Sequence, residues 1–281
     1  MVQKKGLSLG LAHFFLCFGI AVVLFPLYVA LVATTHTYDV LVGHTPLWFG
    51  QEFINNFATV LTQGLKAAGG IPVWHMMANS LVMAMGIAAG KIAISLTAAY
   101  AIVYFRFPGR ELCFAAIFIT LMMPVEVRIV PTFQVAANLN FIDSYAGLIL
   151  PLIASATATF LYRQLFMTIP PELLEAARID GAGPWRFFVD VVLPLSRTNT
   201  AALFVVLFIY GWNQYLWPLL VTNEEGMYTV VMGIQRMVNI PDAVPEWNLI
   251  MAVALLGMLP PLLVVLGMQK LFVRGLVETE K

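Results

Sequence analysis

Six long stretches of the chain are almost entirely apolar, and polar residues are concentrated between them. A helix needs about 20 mostly apolar residues to cross roughly 30 Å of hydrocarbon, so each stretch predicts a membrane-spanning helix. The strict alternation typical of barrel strands does not occur, which predicts an all-α membrane protein and a single transmembrane domain over residues 1–281. The predicted spans are residues 12–34, 78–104, 112–134, 146–166, 200–221 and 249–271.

Composition supports a membrane location and excludes other classes of protein. Hydrophobic residues make up 60% of the chain and charged residues only 11%. A soluble domain carries about 25% charged residues, so a cytosolic globule and a disordered chain are both excluded. The net charge is +0, with 15 basic and 15 acidic residues. No basic field favours nucleic acid as a partner, and the lipid bilayer is the expected surroundings.

Lysine and arginine residues are distributed unevenly between the two predicted sides of the membrane. Because such residues favour the cytoplasmic side, the larger set predicts that both termini are cytoplasmic in a multi-pass protein. The long apolar run of the first span favours an uncleaved anchor over a signal peptide. The predicted cytoplasmic set is Lys4, Lys5, Arg106, Arg110, Arg163, Arg178, Arg186, Arg197, Lys270, Arg274 and Lys281, and the predicted outer set is Lys66 and Arg236.

One predicted cytoplasmic loop, residues 167–199, is longer than a simple connection needs. Pro170 and the proline that follows it can start a helix, and Gly181 suits the left-handed residue that closes one. Pro184 can begin a second helix, in which apolar residues share one face. The residues predicted to share it are Trp185, Phe188 and Val192. This pattern favours either a docking element or a surface helix that rests at the lipid headgroups.

The same loop resembles the EAA loop of ABC importer permeases. Glu175-Ala176-Ala177 is followed, after three residues, by Gly181 and, after nine more, by Val191-Val192-Leu193-Pro194. The family has isoleucine at the position of Val191, which is a conservative departure. Further segments are similar to the carbohydrate-uptake permeases in particular. They are Asn79-Ser80, Phe105–Gly109, Asp143–Gly147, Phe160–Gln164 and Gly211–Pro218.

This resemblance implies a MetI-like permease fold with a cytoplasmic coupling helix at residues 172–182. In the family that helix docks into a dimeric cytoplasmic ATPase, which would hold the ATP and Mg. A second homologous permease and an extracytoplasmic solute-binding protein are also implied, as is a location in the cell inner membrane. The residues that the resemblance assigns to ATPase coupling are Glu175, Ala176, Ala177, Asp180 and Gly181.

No catalytic or metal-binding motif stands out, so we expect a transport subunit without a cofactor of its own. Gly86 and Gly90 precede Lys91, but a phosphate-binding loop needs four residues between its glycines and Ser or Thr after the lysine. Here there are three residues, and Ile92 follows. The two glycines are better interpreted as a GxxxG face on which another helix packs closely.

Arg163 and Lys270 lie near the predicted cytoplasmic ends of their spans, whereas three charged residues fall deeper inside predicted spans: Lys91, Glu126 and Arg128. A charge that faces lipid is costly, so these side chains should face protein or water. They are expected either to pair internally, as Lys91 with Glu126, or to line a translocation path with a net positive charge that suits an anionic substrate. Asn213 and Gln214 would add neutral hydrogen-bonding groups to that path.

Two segments, Met123–Ile129 and Ser155–Phe160, most resemble the permeases of glycerol-3-phosphate importers. The resemblance implies sn-glycerol 3-phosphate, or a related glycerophosphodiester, as the substrate. A neutral di- or oligosaccharide is the alternative. A secondary transporter would be expected to show inverted repeats, and none is clear. An intramembrane enzyme would need convergent nucleophiles or metal ligands, which the sequence does not offer.

Overall fold

The computed structural model describes residues 5–64, 69–120, 123, 125–240 and 244–277, without the side chains of 5–9, 125–126 and 270–277. Within these ranges the chain is helical and has no strand. The helices are α1 (Lys5–Ala33), α2 (Tyr38–Gly43), α3 (Phe53–Thr62), α4 (Val73–Tyr104), α5 (Arg110–Ile119), α6 (Val125–Asn138), α7 (Tyr145–Ile149), α8 (Ala156–Met167), α9 (Pro171–Ile179), α10 (Pro184–Phe187), α11 (Leu193–Leu195), α12 (Arg197–Trp212), α13 (Leu216–Val221), α14 (Val230–Val238) and α15 (Trp247–Val277).

Three uninterrupted helices are long and apolar enough to cross a membrane. They contain Gly10–Ala33, Val73–Tyr104 and Trp247–Gln269, and they correspond to the first, second and sixth predicted spans. Each is longer than the roughly 20 residues that the hydrocarbon layer requires. The described chain therefore has several candidate spans, as the apolar pattern predicts.

The fourth predicted span is bent rather than straight. Tyr145–Leu152, which is α7 with a following 3-10 turn, meets α8 at an angle of 49°. The Ser155 side chain accepts a hydrogen bond from the backbone N–H of Ala158, at 3.2 Å. Ser155 therefore caps a new helix at this point instead of continuing the preceding one.

The fifth predicted span is also interrupted, because α12 ends at Trp212 and α13 begins at Leu216. Pro218 lies in the first turn of α13, where its missing N–H could not bond the Gln214 carbonyl in a continuous helix. At its other end, α12 meets the helical segment Pro184–Leu195 at 72°. The third predicted span is divided between α5 and α6, and residues 121, 122 and 124 between them lie outside the described residues.

The chain divides into two compact units, Met1–His75 with Gly233–Met258, and Met76–Met232 with Leu259–Lys281. In the first unit, the buried Asn56 side chain donates to the carbonyls of Thr34 and His36, both at 2.9 Å. Asn248 donates to the Asn56 side chain at 3.0 Å. Because buried amides are costly unless bonded, this network fixes α3 against the end of α1 and the start of α15.

In the second unit, an apolar cluster joins the last part of α4 to α8 and to the helices after α9. Phe187, Phe188 and Val192 are all buried there, whereas Trp185 is 72% exposed. Trp185 still lies beside Phe188, with ring centroids 5.6 Å apart, so it sits at the exposed edge of the predicted apolar face. The turn at Phe188–Val192 is π-helical, which changes the register that an α-helical count assumes.

Candidate functional site

Helix α9 is a short helix with defined ends. It begins at Pro171, directly after Pro170, as the sequence predicts. It closes at Gly181, whose φ is +75°. The Gly181 N–H bonds the Arg178 carbonyl at 3.1 Å, and the Ala182 N–H bonds the Ala177 carbonyl at 2.8 Å. These two bonds form a Schellman motif, which requires the left-handed conformation that glycine adopts most easily.

The two sides of α9 differ in character. Leu174 and Ala177 are half-buried and pack against the apolar cluster of α4 and α8. The residues on the other side are exposed, among them Ile179 at 85%. Of the five predicted coupling residues, Ala177 therefore faces inward. Those that are exposed are Glu175, Ala176, Asp180 and Gly181.

The segment that follows α9 is fixed to α4. The Tyr100 hydroxyl donates to the Pro184 carbonyl at 2.7 Å. The Tyr104 ring lies edge-on to Phe187, with ring centroids 5.2 Å apart. Both tyrosines belong to the last two turns of α4, so a displacement of the loop helices acts directly on the end of this long helix.

Lys91 lies on α4, and only 7% of its surface is exposed. Its Nζ atom lies 4.0 Å from the centroid of the Tyr210 ring, on α12. The charge of Arg128 on α6 repels the Lys91 ammonium. Of the carboxylates whose side chains the structure describes, none forms a salt bridge with Lys91. The predicted Lys91–Glu126 pair lies outside the described residues, because the Glu126 side chain is not among them.

The predicted amides lie at the end of α12, next to Tyr210. Asn213 is the residue that ends this helix, and it is exposed. The Gln214 side chain donates to the Tyr210 carbonyl at 3.1 Å, so it bonds the last turn of α12. The structure thus brings Lys91 together with Arg128 and Tyr210 and places Asn213 one turn beyond, beside the break between α12 and α13.

Gly86 and Gly90 face the bend of the fourth span. A Cβ atom at Gly86 would lie 2.6 Å from Ile149 Cδ1, and one at Gly90 would lie 2.5 Å from Ile153 Cγ2. Such distances are shorter than van der Waals contact, so residues 149–153 approach α4 closely only because these positions lack side chains. Gly90 also brings this bend next to Lys91 along α4.

Sequence reasoning missed two functional features. No motif marks Tyr210, because aromatic residues are common at span ends, and no local spacing connects it with Lys91. Asp143 marks the family resemblance, and its carboxylate accepts bonds from the N–H groups of Asn223 and Glu224 and from the Asn223 side chain. Burial raises the pKa of Asp143, but these bonds outweigh burial and hold the pKa below its ordinary value. Its left-handed φ of +54° could not be read from the sequence.

Metal chemistry finds no support in the part of the chain that the structure describes. Among those residues, no three His, Cys, Asp or Glu side chains come close enough together to hold a metal ion. Cys17 and Cys113 are exposed free thiols.

Residues 90–278 match the family described as "Binding-protein-dependent transport system inner membrane component". This segment contains α9, Lys91, Arg128 and Asn213. The chain belongs to this family. It is a permease of the ABC importer type, a transport component rather than an enzyme, and ATP hydrolysis belongs to a separate subunit of such systems.

Several curated relatives match the whole permease. It is 56% identical over 281 residues, 99% of each chain, to the sn-glycerol-3-phosphate transport system permease protein UgpE of Salmonella typhimurium. It is 52% identical over 282 residues, 100% of each chain, to the protein of the same name from Rhizobium meliloti. It is 54% identical over 282 residues to that from Escherichia coli O1:K1.

A solved structure shares the fold of the permease. That chain belongs to a bacterial ABC transporter involved in the import of the acidic polysaccharide alginate. The superposition has a TM-score of 0.81 and covers 96% of this chain and 98% of that one, at 18% sequence identity. The predicted permease fold is therefore confirmed.

Proposed function

We propose that this permease carries sn-glycerol 3-phosphate, or a related glycerophosphodiester, into the cytoplasm. The observation that carries the proposal is full-length identity of 52% and 56% to permeases named for transport of this compound. The buried Lys91 with Arg128 nearby supports it, because two cations favour an anionic substrate. A neutral sugar would gain nothing from such a pair.

Transport is energised through α9. Its exposed side, with Glu175, Ala176, Asp180 and Gly181, docks into a cleft of a dimeric cytoplasmic ATPase that binds ATP and Mg. An exposed carboxylate at Glu175 suits a charge-assisted hydrogen bond to a basic residue of that subunit. The inner side of α9 packs on the cluster at the end of α4, so that ATPase closure tilts the spans.

The permease crosses the inner membrane six times as one domain, with both termini in the cytoplasm. The spans are α1, α4, α5 with α6, α7 with α8, α12 with α13, and α15. The excess of lysine and arginine residues on the predicted cytoplasmic side supports this orientation. A second permease subunit completes the path, and an extracytoplasmic solute-binding protein delivers the substrate to it.

The translocation path passes Lys91, Arg128, Asn213 and Gln214. Lys91 and Arg128 attract the phosphate, while Asn213 offers an exposed amide to the glycerol hydroxyls. The two breaks in helical backbone support this location, since irregular backbone at membrane depth is tolerated where it lines a cavity or is buried in protein. Glu126 lies two residues before Arg128 in the sequence, and its negative charge lowers the net positive charge of the path.

Reconstitution tests this function. The permease is placed in liposomes with its partner permease, its ATPase and its binding protein, and ATP-dependent uptake of labelled glycerol 3-phosphate is compared with uptake of labelled maltose. We expect uptake of glycerol 3-phosphate only. Uptake of maltose without uptake of glycerol 3-phosphate would overturn the substrate proposal and leave the ABC mechanism standing.

A further inference from the structure

We infer that the Tyr210 ring is a placeholder for the anionic group of the substrate. The ring holds the Lys91 ammonium until a phosphate arrives, and the ammonium then leaves the ring for the phosphate during translocation. The inference rests on the proposed function, since it takes Lys91 as part of the path. It adds a positioning residue that neither the motifs nor the names of the relatives indicate.

A buried ammonium needs a partner. Only 7% of the surface of Lys91 is exposed, and an isolated charge in such surroundings is strongly disfavoured. The side chains that the structure describes place no carboxylate within salt-bridge distance of its Nζ atom. The Tyr210 ring, with its centroid 4.0 Å away, supplies the negative face that the ammonium contacts.

An aromatic ring holds a cation more weakly than a phosphate does. The ring offers a quadrupole, whereas a phosphate offers full charges and oxygens that accept hydrogen bonds. Arg128 repels Lys91, which makes the ring-bound arrangement less favourable and a bound anion more favourable. The ammonium is therefore held in place yet free to exchange partners when an anion arrives.

The position of Tyr210 suits such an exchange. Tyr210 lies on α12 about one turn before the break between α12 and α13, and the side chain of Gln214, a residue of that break, donates to the Tyr210 carbonyl. The part of α4 that carries Lys91 lies against residues 149–153, where the fourth span bends. Two irregular stretches of backbone thus flank the cation and the ring, and the site can rearrange where regular helices would resist.

Thermal unfolding of the assembled complex tests the placeholder. Tyr210→Leu removes the ring, Tyr210→Phe keeps it, and Phe204→Leu removes a half-buried ring from the same helix as a control. We expect Tyr210→Leu to lower the Tm by several degrees, Tyr210→Phe to leave it nearly unchanged, and the loss to vanish in a Lys91→Met background, because no charge then needs a partner. An equal loss in both backgrounds would assign Tyr210 to packing alone and overturn the inference.

Inorganic phosphate at matched ionic strength provides the second readout. Phosphate should raise the Tm of Tyr210→Leu more than that of the wild type, since the anion replaces the missing ring, and should not raise that of Lys91→Met. An equal rise in all three would contradict the placeholder. In uptake assays, Lys91→Met with wild-type transport would refute the path itself. Loss of transport in Lys91→Met alone, with Tyr210→Leu normal, would refute only the role of the ring.

Discussion

The loop around α9 and the surroundings of Lys91 are built in opposite ways. The loop is shaped by neighbours in sequence: prolines start its helices, and Gly181 ends the first with two local backbone bonds. The Lys91 site is assembled from α4, α6 and α12, which are far apart in the chain. The contrast shows that the proposed docking helix is encoded locally, whereas the residues around Lys91 come together only when distant helices pack.

Reversing the charge at Glu175 should have the largest effect on the loop. Glu175→Lys places a cation where the ATPase is proposed to offer a basic residue. Because like charges buried together at an interface repel each other strongly, uptake should fall by about a hundredfold. Glu175→Gln, which keeps the shape, should lose less. The measurement is uptake normalised to the amount of inserted permease. Wild-type uptake by Glu175→Lys would show that α9 is not part of the docking surface.

Gly181 and Gly183 form a matched pair in the same turn. Both have open space where a Cβ would go, but only Gly181 has a positive φ, at +75°. Gly181→Val should strain the Schellman turn by about 1–2 kcal/mol and lower uptake about tenfold. Gly183→Val should transport normally, since its extended backbone accepts valine. Equal losses in the two variants would mean that the turn matters for its exposed surface and not for its conformation.

Close packing of α4 at Gly86 gives an effect on stability. Gly86→Ala forces the new Cβ against Ile149, which should cost about 1–3 kcal/mol of unfolding free energy. Ile149→Val removes the nearest atom and should recover part of the loss. Gly19→Ala on α1, where a Cβ meets nothing within 4 Å, is the control and should be neutral. Thermal unfolding of the purified permease measures all three. If Gly86→Ala left the Tm unchanged, the backbone near Ile149 would be able to move away from the new Cβ, and close packing at Gly86 would not be needed for stability.

Asp143 should give the smallest effect and the one that depends on pH. Because bonds from Asn223 and Glu224 hold its pKa below the ordinary 3.8, the ionised form stabilises the folded state. This stability is fully present above the unfolded pKa and is lost as pH falls through the lower folded pKa. The Tm difference between wild type and Asp143→Ala should therefore be constant near neutrality and shrink below about pH 4. A difference that grows with acidity would contradict this assignment.

The sequence alone predicts the parts of the fold that depend on composition and local pattern. Apolar length indicates α1, α4 and α15, and the spacing from Glu175 to Pro194 indicates the loop and the family. The bends in the fourth and fifth spans were not predicted, because each predicted span is apolar enough over its whole length to cross as one helix. Ser155 and Pro218 contribute to those breaks, but proline is also tolerated within membrane helices.

The candidate site was predicted in its charged and amide members but not in its aromatic one. Lys91 and Arg128 stand out because charges are rare in apolar runs. Tyr210 does not, since aromatic residues are common near span ends and its contact with Lys91 joins residues of different helices. Trp185 shows the limit of counting within a helix: the spacing predicts a shared apolar face but not that Phe188 is buried while Trp185 is exposed.

The difference between the two regions is tested most directly by measuring ATP hydrolysis and glycerol 3-phosphate uptake in the same proteoliposomes. We predict that Glu175→Lys loses both the ATP hydrolysis stimulated by loaded binding protein and the uptake. Lys91→Met should instead lower the number of substrate molecules transported per ATP hydrolysed. A wild-type ratio in Lys91→Met, or stimulated hydrolysis and uptake that persist in Glu175→Lys, would contradict the division of roles between the docking helix and the buried cation.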